Sequence, residues 1–114
     1  MADERAGMLQ GTLELLVLKI VSLEPMHGWG ITQRIEQMSQ HVFQVNQGSL
    51  YPALERLTRG AWIRSEWRTT ESNRRARYYE LTAAGRRRLV AEQGGWERSS
   101  AAVNAILAWS GALP

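Results

Sequence analysis

The sequence has no cysteine, only two histidines and a single aspartate among its 114 residues. Without cysteine there is no disulfide framework, no thiol nucleophile and no thiolate metal site. His27 and His41 are far apart in sequence, and Asp3 is the one aspartate that could accompany them in a triad or a metal site. We therefore expect a protein that is not an enzyme and that uses neither a cofactor nor a metal.

Long apolar runs are also missing. No stretch approaches the roughly 20 apolar residues that a membrane-spanning helix needs, and the acidic start at residues 1–5 has no signal-peptide pattern. The length suits one domain with a modest core. We expect a cytoplasmic protein without a membrane partner.

Lysine is nearly absent, because 13 of the 14 basic residues are arginine. The arginines are concentrated in residues 56–98, which carry a net charge of +6, whereas residues 1–55 carry −3. The planar guanidinium group suits phosphate oxygens and the edges of bases. A merely solvated basic face explains the same composition, so the placement of these arginines on helices and strands has to decide.

The spacing of apolar residues predicts a first helix from Met8 to Leu23, which Pro25 ends because the residue before a proline leaves helical geometry. Leu15 and Leu18 lie off its main apolar stripe, so this helix is apolar on more than one side. One side can pack within the domain, and the other needs a further partner. The main stripe consists of Leu9, Leu13, Leu16, Val17 and Ile20.

Two further helices are predicted before residue 60. Residues 26–28 form a turn, and the helix after it buries Trp29, Ile31, Ile35 and Met38. The third helix begins at Asn46 as its N-cap, with Ser49 as an alternative cap, and Gly60 stops it. On a helical wheel Leu50, Leu54 and Leu57 face inward, and Gly48, Ser49, Pro52, Arg56 and Arg59 face outward.

A hairpin and a long helix complete the chain. Residues 62–68 and 75–81 have the composition of strands, and a polar turn separates them. Thr82 caps a last helix that runs from Ala83 toward Ser110, about 43 Å at 1.5 Å per residue. Gly94 and Gly95 interrupt it at a cost of about 1 kcal/mol each relative to alanine. Either the helix kinks there or two backbones approach each other closely.

This order predicts a mainly α fold with a small β-hairpin, namely a winged helix-turn-helix followed by a long C-terminal dimerisation helix. Residues 1–81 would form the DNA-binding domain with its N-terminal helix, and residues 82–114 the dimerisation helix, within one continuous domain. In a helix-turn-helix the second helix of the pair lies in the major groove, and wing arginines contact phosphates. The candidate DNA-binding residues are Gln47, Gly48, Ser49, Tyr51, Pro52, Arg56, Arg59, Arg68, Arg74, Arg75 and Arg77.

Three motifs, in this order, resemble the PadR family of bacterial regulators: MHGWGI at residues 26–31, GSLYPALERL at 48–57 and RARYYELTAAG at 75–85. The resemblance covers Met8 to Trp96. It implies a homodimer, usually a repressor, that binds a palindromic operator in double-stranded DNA through its third helix and wing, and a structural role for His27. The chain departs from the family in Gly94-Gly95 and in its tryptophan content.

The resemblance also implies that the first and last helices of two chains cross in the dimer. Some relatives bind planar apolar effectors between aromatic side chains at that interface, so a small aromatic or apolar effector could lie beside Trp96; ordinary packing of Trp96 is the alternative. The candidate interface residues are Leu15, Leu18, Leu89, Trp96, Val103, Ile106 and Leu107.

We therefore expect a sequence-specific DNA-binding transcriptional regulator, a homodimeric repressor that a small-molecule effector releases from its operator. The alternative is a winged-helix protein-interaction module without specific DNA binding. The concentration of arginine argues against the alternative, because the cores of protein–protein interfaces are depleted of charge.

Overall fold

A computed structural model describes residues 10–114 of the chain. The elements confirm the predicted order of three helices, a hairpin and a long last helix. Met8 and Leu9, which apolar spacing assigned to the first helix, lie outside the described residues. The elements are α1 (Gln10–Leu23), β1 (Met26–His27), α2 (Gly28–Met38), α3 (Gln47–Arg59), β2 (Ile63–Thr69), β3 (Arg75–Leu81) and α4 (Ala83–Leu107).

The core lies where α1, α2 and α3 pack on one another, on the base of the sheet and on the first turns of α4. Leu50, Leu54 and Leu57 of α3 are fully buried, as the helical wheel predicts. Burial of one such side chain contributes about 1.5–3 kcal/mol, so these leucines hold α3 firmly in the domain. The other core residues are Leu13, Val17, Leu18, Ile20, Val21, Met26, Ile31, Ile35, Ala53, Ile63, Tyr79 and Leu89.

The predicted buried side of α2 is only half right. Ile31 and Ile35 are buried, but Trp29 is 61% exposed and Met38 is 55% exposed. Trp29 is separated from Ile31 by about 200° around the helix axis, so it faces the other way. Met38 is the last residue of α2 and lies at the rim of a small apolar pocket that Phe43 also lines.

Residues 26 and 27 were predicted to lie in a turn but form a third strand instead. In this short β1, Met26 lies opposite Tyr79 and His27 opposite Tyr78, antiparallel to β3. The sheet order is therefore β1-β3-β2. Two residues are too few to show the alternation by which strands are identified in a sequence.

The hairpin forms where it was predicted, with strand ends shifted by one residue. Its register runs from Ile63 opposite Leu81 to Thr69 opposite Arg75. At the tip, Asn73 is left-handed with φ 64°, a conformation that asparagine adopts more readily than most residues. Its N–H donates to the carbonyl of Thr70 at 2.9 Å.

Side chains cap three of the helices. The amide oxygen of Asn46 accepts from the Ser49 N–H at 2.8 Å, so Asn46 is the N-cap of α3 and the alternative, Ser49, is wrong. The Thr82 hydroxyl accepts from the Gly85 N–H at 3.0 Å and caps α4, as predicted. Nδ1 of His27 accepts from the Gly30 N–H at 2.9 Å and caps α2.

The end of α3 differs from the expectation that Gly60 is the stop signal. Gly60 keeps ordinary helical angles, and the left-handed residue is Ala61 with φ 63°. The N–H groups of Ala61 and Trp62 donate to the carbonyls of Thr58 and Leu57 at 3.0 and 3.1 Å, which is a Schellman motif. Glycine is needed at position 60 for a different reason: a Cβ there would collide with the ring of Trp62.

The start of α4 is fastened to the chain just after α3. The Trp62 carbonyl accepts from both the backbone N–H and the hydroxyl of Thr82, at 3.1 and 3.0 Å. A Cβ on Gly85 would collide with the same carbonyl oxygen. The guanidinium of Arg88 lies over the Trp62 indole, 3.8 Å from its centre. We call this set of contacts, made by Trp62, Thr82, Gly85 and Arg88, the Trp62 junction.

Helix α4 is unbroken across Gly94 and Gly95 and ends at Leu107, three residues before the predicted Ser110. Its first turns pack on the core through Leu89, and its later turns project, so that the described chain extends 62 × 33 × 20 Å. A Cβ on either glycine would meet only the guanidinium of Arg98, at 3.5 Å or more. No helix within residues 10–114 is long and apolar enough to cross a membrane.

Two of the expected interface residues are unavailable to a partner. Leu18 is 1% exposed and Leu89 is 7% exposed, because both pack in the core of their own chain. Both lie on apolar stripes that the domain itself covers where α1 meets α4. Trp96, Val103, Ile106 and Leu107 are all more than half exposed, and Leu15 is partly buried.

Replacing Ala61 with glycine should stabilise the protein, because a left-handed residue other than glycine is strained by about 1–2 kcal/mol. Greater freedom of the unfolded chain offsets part of the gain, so we expect the free energy of unfolding in urea to rise by about 0.5–1 kcal/mol. Ala91→Gly on the exposed surface of α4 is the control and should lower it by about 1 kcal/mol. A loss in both variants would contradict the left-handed assignment of Ala61.

Replacing His27 with alanine should remove the N-cap of α2 and lower the free energy of unfolding by about 1 kcal/mol. His27→Asn keeps a side-chain acceptor at the cap and should restore most of that loss in thermal denaturation. The His27 ring also packs edge-on against Tyr78, with centroids 5.3 Å apart. An equal loss in both variants would mean that this ring contact, and not the cap, is what stabilises α2.

Candidate nucleic-acid interface

The start of α3 forms an exposed surface with little side-chain bulk. Gly48, Ser49 and Pro52 are exposed, and Tyr51 is 49% exposed beside them. The three buried leucines of α3 fix this orientation, so these four residues face outward as predicted. Such a surface allows the backbone of α3 to come close to another molecule, with hydroxyl groups within reach of it.

Gln47 lies at the edge of this surface and is partly buried. Its amide nitrogen is 3.5 Å from the hydroxyl of Thr32, a long and weak hydrogen bond. Thr32 is buried and donates in turn to the Trp29 carbonyl at 2.8 Å. Gln47 therefore links the first turn of α3 to α2 and leaves only part of its amide for an external partner.

Arg56 was predicted to face outward from α3, and the structure corrects that prediction. Its Nε donates to Oε2 of Glu14 on α1 at 2.6 Å, and its side chain is only 30% exposed. The helical wheel places residues around an axis but contains no information on which neighbouring helix carries a carboxylate. Arg56 points along the contact between α3 and α1.

Arg59 follows the prediction more closely. Its side chain is 67% exposed and makes a 3.5 Å ion pair with Glu55 one turn earlier. Exposed pairs of this kind contribute only about 0.3–0.5 kcal/mol, so the Arg59 guanidinium exchanges partners at little cost.

The wing has two faces of different character, because successive residues of a strand point to opposite sides of the sheet. The inner face, on the side of α3, carries Ser65, Trp67, Arg75, Arg77 and Tyr79. The outer face carries Arg64, Glu66, Arg68, Tyr78 and Glu80.

On the inner face, Trp67 holds two arginines in place. The guanidinium groups of Arg75 and Arg77 lie 5.3 and 5.7 Å from the centre of its ring, within the range of a cation–π contact. Arg77 also donates from Nε to the Ser65 hydroxyl at 2.8 Å. Within residues 10–114 neither arginine is paired with a carboxylate, so this face carries uncompensated positive charge.

On the outer face the arginines are neutralised. Arg64 pairs with Glu80 and Arg68 with Glu66, each at 2.6 Å. Arg68 also lies over the Tyr78 ring, 5.2 Å from its centre. Sequence analysis grouped Arg68 with Arg75 and Arg77, but the register places it on the opposite face, and its charge is compensated.

An open groove of about 750 Å³ runs between the inner face of the wing and the starts of α2 and α3. Aromatic rings form much of its lining, and Arg74 stands at its outer end on the exposed tip of the hairpin. Glu71, also at the tip, is the one acidic residue along the groove. The principal side chains are His27, Trp29, Tyr51, Trp67, Arg74, Arg75 and Arg77.

Tyr79 lies at the inner end of this basic face and is buried. Burial raises the pKa of its phenol, and this outweighs the opposing effect of the Arg77 charge; Tyr51 nearby raises the pKa further. The phenol is therefore neutral at physiological pH and leaves the positive charge of Arg77 unopposed.

Sequence analysis missed three residues of this region. Trp67 was assigned to hairpin packing, although period-two alternation would have placed it beside Arg75 and Arg77 once the register was known. Trp29 was assigned to the core, whereas its angle around α2 would have placed it outside. Glu14 carried no sequence pattern that connects it with Arg56, because the two are 42 residues apart.

Comparisons with known proteins agree with this geometry. Residues 17–91 match the transcriptional regulator PadR-like family. The transcriptional regulator Rv3488 of Mycobacterium tuberculosis is 32% identical over 88 residues, which cover 77% of this chain and 78% of that protein.

Solved structures show the same fold. A PadR-like transcriptional regulator from Bacillus cereus is 27% identical with a TM-score of 0.78, over 91% of this chain and 99% of that one. The smu.1704 protein of Streptococcus mutans superimposes with a TM-score of 0.81 at 24% identity, over 94% and 96% of the two chains. The chain belongs to the PadR-like family of DNA-binding transcriptional regulators.

Proposed function

We propose that the chain acts as a homodimer that recognises a specific DNA sequence, with α3 in the major groove and the wing on the neighbouring backbone. The observation that carries this proposal is the position of the uncompensated arginines. Arg75 and Arg77 face α3 across one groove, on the side where α3 exposes its first turn. A duplex lying on α3 would bring its phosphates to these arginines.

Within this proposal the two elements have different tasks. Ser49, Tyr51 and the accessible part of Gln47 supply hydrogen-bonding groups toward base edges, and Gly48 and Pro52 allow close approach. Arg74, Arg75 and Arg77 supply phosphate contacts, which position the protein and add salt-dependent affinity. Arg59 has enough freedom to bind phosphate or guanine, and the compensated Arg68 contributes less than the inner-face arginines.

The apolar side of α4 supports dimerisation. The stripe that begins with the buried Leu89 continues through Trp96, Val103 and Leu107, which are 51%, 54% and 78% exposed. Contiguous exposed apolar surface of this kind marks an interaction site, and a second copy of α4 offers a matching one. Two-fold symmetry would then place the two copies of α3 about 34 Å apart, one DNA turn, on a palindromic site.

We further propose that the protein is a cytoplasmic repressor that a small aromatic or apolar molecule releases from DNA. Trp96 is the residue that would bind this effector, since its indole is half exposed on the proposed dimer face and can stack on a planar ring. Binding there would change the angle between the two copies of α4 and hence the spacing of the two copies of α3.

DNA binding by the purified protein should weaken steeply as salt increases, because each neutralised phosphate releases counterions. Arg75→Gln should reduce the slope of log affinity against log salt by about 0.9, measured by fluorescence anisotropy with duplex DNA enriched from a random library. Arg64→Gln, on the outer face of the same hairpin, is the matched control and should leave the slope nearly unchanged. Absence of binding at low salt would favour a protein-interaction module instead.

Val103→Glu should convert the dimer into a monomer, because dimerisation would bury an unpaired carboxylate. Val90→Glu is the control: Val90 is 70% exposed on the same helix but lies about 140° away around its axis. We expect sedimentation equilibrium to show a monomer only for Val103→Glu, with unchanged helix content by circular dichroism. Retention of the wild-type mass in Val103→Glu would place the interface elsewhere.

A further inference from the structure

The ion pair between Glu14 and Arg56 joins α1 to α3 across the interior of the domain. Nε of Arg56 is 2.6 Å from Oε2 of Glu14, and the two side chains are 30% and 15% exposed. Their helical neighbours Leu13 and Leu57 are buried. Surrounding protein therefore screens this pair less than water would.

The other arginine–glutamate pairs within residues 10–114 are of a different kind. Each lies within one helix or one hairpin, and at least one partner in each is more than 35% exposed. Such pairs contribute little to the stability of a protein. Glu14–Arg56 is the one that bridges separate helices, 42 residues apart.

The pair constrains how α3 is rotated and tilted on α1. Three buried leucines hold α3 against the core, but apolar contacts are not directional and tolerate small rotations. A short charge-assisted hydrogen bond is directional and specifies one arrangement. At the same time the Glu14 carboxylate compensates the charge of Arg56, so Arg56 has little net charge to offer a phosphate.

We propose that Arg56 is a positioning residue for DNA recognition: it sets the orientation of α3 relative to α1 through Glu14, and it does not supply a phosphate contact. This inference rests on the proposed function, in which the exposed start of α3 meets base edges. α1 packs against the first turns of α4, and so the pair connects the base-reading surface to the helix of the proposed dimer.

The test separates specificity from overall affinity. Affinities for an operator duplex, enriched from a random library by the wild-type protein, and for a scrambled duplex are measured over a series of salt concentrations. The variants are Glu14→Gln, which keeps shape and removes charge, Arg56→Gln, and the two combined. Arg75→Gln serves as the reference for loss of a phosphate contact. All measurements are made well below the melting temperature of each variant.

If Arg56 positions α3, Glu14→Gln and Arg56→Gln should each reduce the preference for operator over scrambled DNA by about tenfold, the scale of one lost base contact. The salt slope should stay at the wild-type value in both, and the combined variant should be no worse than either single one because one contact is lost in all three. Arg75→Gln should do the opposite, lowering the slope and keeping the preference.

Two results would overturn the inference while leaving the proposed function intact. A lower salt slope in Arg56→Gln, together with tighter binding by Glu14→Gln, would mean that Arg56 contacts phosphate and that Glu14 restrains it. An unchanged operator preference in Glu14→Gln, accompanied only by a lower melting temperature, would mean that the pair merely stabilises the fold. A wild-type protein that does not distinguish operator from scrambled DNA would overturn the proposed function and the inference with it.

Discussion

The Trp62 junction is the contact on which the arrangement of this protein depends. One carbonyl oxygen accepts two hydrogen bonds from Thr82, and Gly85 is the residue that lets α4 approach it. Because Trp62 directly follows the C-terminal turn of α3, the same few residues end the DNA-facing helix, begin the hairpin and start the long helix. A shift at this point would move all three elements relative to one another.

The recognition helix α3 is held at three places along its length, each by a different kind of interaction. A weak hydrogen bond from Gln47 reaches α2 at its start, Arg56 reaches α1 in its third turn, and the Schellman motif at Ala61 leads into the Trp62 junction. The leucine stripe supplies most of the stabilisation, whereas these polar contacts select one orientation. Such a division is expected where the position of a helix matters as much as its presence.

Much of the fold could be predicted from local rules. The Asn46 and Thr82 caps, the leucine stripe of α3 and the hairpin all follow from interactions within a few residues, and so does the outward position of Ser49. The errors arose where the answer depended on distant parts of the chain. The partner of Arg56 is on α1, β1 is a strand only because β3 lies beside it, and Leu89 is buried only because α1 covers it.

The stacking of Arg75 and Arg77 on Trp67 has a consequence for the thermodynamics of association. A free arginine side chain loses about 2 kcal/mol of rotamer entropy when it is immobilised, and ordering side chains is a large part of what opposes binding. In this hairpin much of that ordering occurs during folding, before any ligand arrives. The inner face of the wing thus resembles a rigid template, and its binding should have a smaller entropic penalty than that of a mobile basic tail with the same charge.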